Sequence, residues 1–223
     1  MPFKPTTYIA VSQLVKESYT HFLPAQKIAV IENGIPAASQ PSPRRSRDGA
    51  YTIGAIGRFV LVKNYHILLE AYALIHQKFP HTRLVLVGHG PLEQQLRDQA
   101  RQLNISAVVT FVINQPAHTY YPQFDCFVQP SQHEGLSIAL LEALQAGVPV
   151  IVTGHDRHHT VIEDKKHGLV IEPNSVHELY EALMYYLLNP QVALYYTKSA
   201  QAYVQKNFCA ERMAHQYDRL FNQ

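Results

Sequence analysis

Basic and acidic side chains in this sequence gather just where apolar, strand-like runs stop, which is where open parallel sheets hold their ligands. Gly57-Arg58 closes the first such run, and Lys63 stands five residues on at the start of a helical segment. Two cations beside backbone N–H groups form a set that could hold phosphate, although single basic residues at loop ends are as often simply solvated. Gly88-His89-Gly90-Pro91 ends the second run. Its missing side chains would let a nucleotide approach the backbone, and the same turn serves equally to end a strand and start a helix. After the fourth run comes Pro130-Ser131-Gln132-His133-Glu134-Gly135-Leu136-Ser137, leading into a segment, 138–144, that is apolar on every face except at Glu142. A carboxylate in such an element is costly unless something satisfies it, and a ligand with hydroxyl groups is one such partner. Gly135 and Ser137 offer backbone donors to a pyrophosphate with the helix dipole assisting, and Glu134 lies just outside. Two carboxylates flanking a phosphate cradle suit a nucleotide sugar, with ribose hydroxyls at one end and sugar hydroxyls at the other. The plainer alternative is a capping Glu134 and a Glu142 that reaches the surface.

Other chemistries find less support. His155, His158 and His159 crowd one loop, but no Cys or carboxylate stands with them in a zinc-ligand spacing, so no metal is expected. Ser12, Ser131 and Ser137 are not embedded in Gly-x-Ser-x-Gly, which removes the nucleophile elbow. Nineteen Lys and Arg against seventeen Asp and Glu leave a formal charge of +2, too balanced for binding nucleic acid by charge alone. The arginines of PRRSR, 43–47, are fewer than polybasic lipid anchors use. Cys126 and Cys209 lie far apart and read as reduced thiols of a cytosolic protein. No secretory leader and no run of 18 apolar residues is expected to place the chain in a membrane.

The elements that must carry these residues alternate from about residue 51. Strands are expected at 51–59, 83–87, 108–112, 126–129 and 148–152. Helices are expected at 64–79, 92–103 and 137–146, with a short helical piece near Tyr120. This βα alternation predicts an α/β fold, a Rossmann-like doubly wound parallel sheet of five strands. The run LVIEP at 169–173 and helices at 176–188, 191–206 and 210–221 follow it. Ahead of it sit a strand-like 8–12, a helical stretch to about Phe22, and 27–34. The Pro-, Ser- and Arg-rich 35–50 reads as a linker. The expected organisation is 1–34, a linker at 35–50, a domain at 51–206 and a C-terminal helix at 207–223. At 223 residues, one full domain plus an appendage fits better than two complete domains.

Several ordered motifs resemble the retaining glycosyltransferases of family 4, the group 1 transferases, whose GT-B fold has two domains. GRFVLVKN resembles that family's Gly-Arg-x4-Lys element, LVLVGHGPLEQQL its Val-Gly-x-Gly-Pro-Leu element, and PSQHEGLSIALLEALQAGVPVIVT its block containing Glu-x7-Glu. IAVSQLVKESY with KIAVIENGI resembles the end of the family's N-terminal domain, and GLVIEPNSVHELYEAL its closing segment. The resemblance implies that Arg58 and Lys63 bind the donor diphosphate and assist catalysis, that Glu134 contacts the transferred sugar, and that Glu142 accepts from the ribose. Gly57, Gly88, Gly90 and the amides of Gly135, Leu136 and Ser137 would complete the donor site. The implied donor is a UDP or GDP sugar, used without a metal or other cofactor. The implied acceptor is a glycan or a lipid-linked sugar, in the cytoplasm or at the inner face of the membrane. Segment 1–34 would be a remnant of the acceptor domain, the last helix would cross toward that half, and a separate chain could supply the rest. Where family members commonly carry an acidic residue after the fifth strand, this chain has Thr160.

Overall fold

The computed structural model describes residues 7–37, 49–155, 159 and 161–222. Most of the expected linker, with its arginine cluster, lies outside them, as do His158 and Thr160.

The main body is one parallel sheet. β3 (Tyr51–Ile56), β4 (Thr82–Val87), β5 (Val109–Val112), β6 (Cys126–Gln129), β7 (Val150–Thr153) and β8 (Leu169–Ile171) stand in the order β5-β4-β3-β6-β7-β8. Six strands therefore replace the five expected. The sixth is the LVI of the run placed after the sheet, paired from Ile151↔Leu169 to Thr153↔Ile171. No α-helix occurs in the described part of the β7–β8 connection, so the βα alternation that marks the other strands lapses there. Residues 169–171 are all buried, as a strand covered on both faces requires. β3 stops at Ile56 rather than at residue 59, because Gly57 turns the chain at φ +154; Phe59 is nonetheless fully buried.

Two helical layers cover the sheet. On one face lie α2 (Tyr65–Lys78), α3 (Glu93–Gln102) and α5 (Val176–Leu188), burying Leu68, Leu69, Tyr72, Leu96, Leu179 and Leu183 against Ile53, Leu84 and Leu86. On the other lie α4 (Ile138–Gln145) and α6 (Pro190–Asn207), with Leu140, Leu144, Ala200 and Val204 against Phe127, Val150 and Val152. The apolar spacing that predicted these helices is the face they bury, and each fully covered Leu adds roughly 1.5–3 kcal/mol. The helical piece near Tyr120 resolves into two short 3-10 turns, Ala117–Thr119 and Tyr121–Gln123. Cys126 and Cys209 form no disulfide. Among the described residues, no helix is long and apolar enough to cross a membrane.

The N-terminal piece is a small parallel unit: β1 (Tyr8–Ala10), α1 (Gln13–Tyr19) and β2 (Ile28–Val30), with Tyr8↔Ile28 in register. Ser12 caps α1 by accepting from the Val15 amide at 3.2 Å. The unit leans on the main body through Val11 and Val15 beside Gly135 and through Asn33 Nδ2, which donates to the Leu136 carbonyl at 3.3 Å. Ile35, placed in the expected linker, is buried and bridges to Cys209 ahead of the last helix, α7 (Ala210–Phe221).

Candidate functional site

This strand order reverses direction between β3 and β6, and a crevice for ligands belongs outside their carboxyl ends. Gly57-Arg58 leaves β3 there, and the loop from Pro130 to Ser137 leaves β6. Lys63 closes a 3-10 turn, Leu61–Lys63, and Asn64 follows in the left-handed region at φ 58 before α2 begins. That turn brings the ammonium of Lys63 back onto the Glu134 carboxylate, where it forms an ion pair. Ser131 Oγ donates to the same carboxylate oxygen at 2.7 Å.

Three loops are tied together around this pair. The Gln132 amide donates to the Val62 carbonyl at 2.8 Å, joining the β6 loop to the Lys63 turn. Asn174, just after β8, accepts from Asn64 Nδ2 at 3.0 Å and from Gln132 Nε2 at 3.3 Å. Thr153, at the end of β7, donates to the Ser131 carbonyl. A cation and a carboxylate are thus held ready by cross-loop hydrogen bonds, which lowers the cost of ordering them around a ligand.

Glu142 has a protein partner that its sequence context did not show. The Tyr121 hydroxyl donates to Glu142 Oε2 at 2.8 Å, so protein rather than ligand satisfies one of its oxygens. Tyr121 is almost fully buried, and burial together with the Glu142 carboxylate pushes its phenol far above the ordinary range. Tyr65 is likewise pushed up, by burial and then by Glu134. Both phenols therefore stay protonated and can donate.

Gly57 lies beside this set: a Cβ there would meet the Tyr65 hydroxyl at 2.8 Å and Lys63 Cε at 3.5 Å. Arg58 next to it is exposed, without an ion pair among the described residues. Gly88 and Gly90 face their own chain, the first packed on the Gly57 carbonyl and the second on the Phe59 backbone, where a Cβ would meet N at 2.7 Å. Gly135 has Val15 Cγ2 at 3.0 Å from its Cβ position, Leu136 is buried, and Ser137 caps α4 by accepting from the Leu140 amide at 3.3 Å.

A cavity of about 420 Å³ opens at this end of the sheet, lined by Glu134, Ser131, His133, Thr153, His155 and His159, and by Leu14 of α1. Its size falls in the range of small-ligand sites. A larger one, about 520 Å³, runs along β8 and α5 and includes none of the candidate donor-site residues. Residues 38–203 match the family described as glycosyl transferases group 1. The chain belongs to that family.

Several known proteins are similar to it. An uncharacterized glycosyltransferase of Haemophilus influenzae is 27% identical over 174 residues, which are 77% of this chain and 44% of that protein. Among solved structures, S. aureus TarM in complex with fondaparinux, alpha-GlcNAc-glycerol and UDP aligns with a TM-score of 0.88 at 19% identity, over 98% of this chain and 44% of that one. Anabaena HepE in complex with UDP-glucose aligns with a TM-score of 0.85 at 21% identity, over 97% and 64%. The chain spans less than half the length of the curated relatives it matches.

In this group 1 transferase chain, reading the sequence alone missed Tyr121, Tyr65 and the Asn64–Asn174 latch. Their pairings leave no local signal, since Tyr121 lies 21 residues from Glu142, and Asn64, although it ends the GRFVLVKN element, lies 110 residues from Asn174. Among the described residues, which leave out His158, no group of three or more His, Cys, Asp or Glu is placed to bind a metal ion. Instead His133 and His155 stack at 5.8 Å, while burial pulls His159 from 6.5 down to about 4 as its Nδ1 accepts from the Val161 amide at 3.1 Å. The unfolded chain therefore takes up a proton on His159 that the folded one refuses between those values. Stability from this group is complete above pH 6.5 and is lost as pH falls toward 4. Urea unfolding at pH 7 and pH 4.5 is expected to show the wild type losing about 2 kcal/mol more than His159→Gln. Equal losses would return His159 to its ordinary titration.

Proposed function

We propose that this chain is the donor-binding half of a retaining, family 4 glycosyltransferase that moves a sugar from a UDP or GDP sugar to a hydroxyl of a glycan or lipid-linked acceptor. The observation that carries the reading is the Lys63–Glu134 pair at the switch point, one turn of chain from Gly57-Arg58. The two charges neutralise each other in the pair. When a diphosphate enters, the ammonium of Lys63 and the guanidinium of Arg58 turn to its oxygens, and Glu134 is released to accept from hydroxyls of the transferred sugar. Glu142 accepts from the ribose, and the amides of Gly135, Leu136 and Ser137 meet phosphate at the start of α4. As the glycosidic bond breaks, negative charge grows on the departing diphosphate, and the two cations seated on it stabilise that state more than the ground state. The complexes of HepE with UDP-glucose and of TarM with UDP favour a uridine donor.

A second reading, that the chain binds donor but needs another domain for transfer, has its own observation. β1 and β2 form a parallel sheet of two strands, whereas parallel sheets are covered and larger. Its apolar residues remain uncovered: Ile9, Leu14, Tyr19 and Phe22 are exposed, Phe22 at 81%. The helix α7 has no fully buried side chain, and Met213, Tyr217 and Leu220 on one of its faces are only half-buried. Residues 1–34 and 207–223 are proposed as the seat of an acceptor-binding half, joined in the same polypeptide or supplied by another chain. Work on membrane-linked or polysaccharide acceptors would place the protein in the cytoplasm, peripheral at the inner membrane face.

Calorimetric titration with UDP, GDP and their hexose conjugates tests both readings, followed by assays for sugar release and transfer. Micromolar-to-millimolar binding with little transfer by the chain alone is the expected result. No saturable binding to any of these nucleotides overturns the donor-site reading, and efficient transfer by the chain alone overturns the need for a second half.

A further inference from the structure

We infer that Tyr121 is a positioning residue for Glu142: its hydroxyl fixes one carboxylate oxygen so that the other is presented to the ribose. The inference rests on the reading of Glu142 as the ribose acceptor. Glu142 interrupts an otherwise apolar helix and is half-buried, and its natural escape would be to swing toward water. The phenol prevents this. Its single proton has two acceptors within reach, Glu142 Oε2 at 2.8 Å and the Ala139 carbonyl at 3.1 Å, and the charged one makes the stronger bond. The ring itself cannot move far. It is 2% exposed, packs edge-on against Phe124 at 6.3 Å and lies against Phe127 at 6.0 Å. Oε1 of Glu142 keeps no partner among the described residues, which leaves an oriented acceptor. A ribose hydroxyl that donates to it then meets a carboxylate already held still, and no side-chain entropy is lost on binding.

Tyr121→Phe removes the hydroxyl and keeps the ring, so the packing that holds the β6 entry survives. UDP, GDP and the 2′-deoxy and 3′-deoxy forms of each are titrated into the wild type, Tyr121→Phe, Glu142→Ala and the double variant. The wild type is expected to bind a ribonucleotide about tenfold more tightly than the deoxy form that lacks the recognised hydroxyl. Tyr121→Phe is expected to shrink that ratio to about threefold, weakening the ribonucleotide while leaving the deoxy form nearly unchanged. In the Glu142→Ala background, the added Tyr121→Phe change is expected to have no further effect. A merely structural tyrosine would weaken both forms alike and keep the ratio. That outcome, with Glu142→Ala still abolishing the ratio, overturns the positioning role alone. A ratio untouched by Glu142→Ala, or no binding by the wild type, overturns the ribose reading of Glu142 and this inference with it.

Discussion

Lys63→Ala is expected to lower affinity for a nucleoside diphosphate ten- to a hundredfold while moving the unfolding midpoint hardly at all. The two effects separate because the part-buried ion pair with Glu134 stays in reach of water, each side chain keeping about one-fifth of its surface exposed (21% and 20%). The cost of partly desolvating both charges offsets much of their attraction, so the pair contributes only about 1 kcal/mol to folding. Removing the ammonium leaves Glu134 with the Ser131 hydroxyl and water, so no buried charge is stranded. Toward a diphosphate the balance differs, since a charge-assisted hydrogen bond to an anion contributes about 1.5–3 kcal/mol, the stated span in affinity. Calorimetry and urea unfolding of the same preparation check both halves. Unchanged affinity removes Lys63 from the donor site, and a large loss of stability shows that the pair serves folding instead.

The second large effect falls on stability. Gly88→Ala is expected to cost about 4 kcal/mol, in the range reserved for substitutions that force the backbone apart. A Cβ at this position lands on the Gly57 carbonyl, and φ of +145 is one that L side chains rarely adopt. Neither strand can yield easily, because the Gly57 amide donates to Val87 O at 3.0 Å and the Gly88 amide to Val112 O at 2.9 Å. Close approach there is between β3 and β4 of the protein itself. Gly49→Ala serves as a control: it also has positive φ, at +75, but open space around it, and is expected to cost only about 1 kcal/mol. Should Gly88→Ala keep full stability and lose only nucleotide binding, the glycine exists for the ligand.

Both effects bear on what could be read before any coordinates. Strand and helix positions followed from patterning. The run RLVLV has to be a strand covered on both faces, and leucines spaced along 92–103 have to lie on a sheet, because apolar area is lost from water in no other way. The residues just after the strands were legible for the same reason: topology sends every carboxyl end to one rim. The sixth strand was misplaced, because Leu169–Ile171 pairs with β7 across a connection that breaks the βα rhythm.

What the sequence alone determined is the list of parts: a parallel doubly wound sheet, and the charged residues Arg58, Lys63 and Glu134 in the segments that follow its strands. Only the tertiary structure decided which part answers which. It paired Lys63 with Glu134 across 71 residues, gave Glu142 to a tyrosine hidden in a turn, and spent Gly88 on packing one strand end against another. The physical reason is range. Burial patterns are written every two to four residues and survive in one dimension, whereas a hydrogen bond or a van der Waals contact is decided over about 3 Å between segments that only folding brings together.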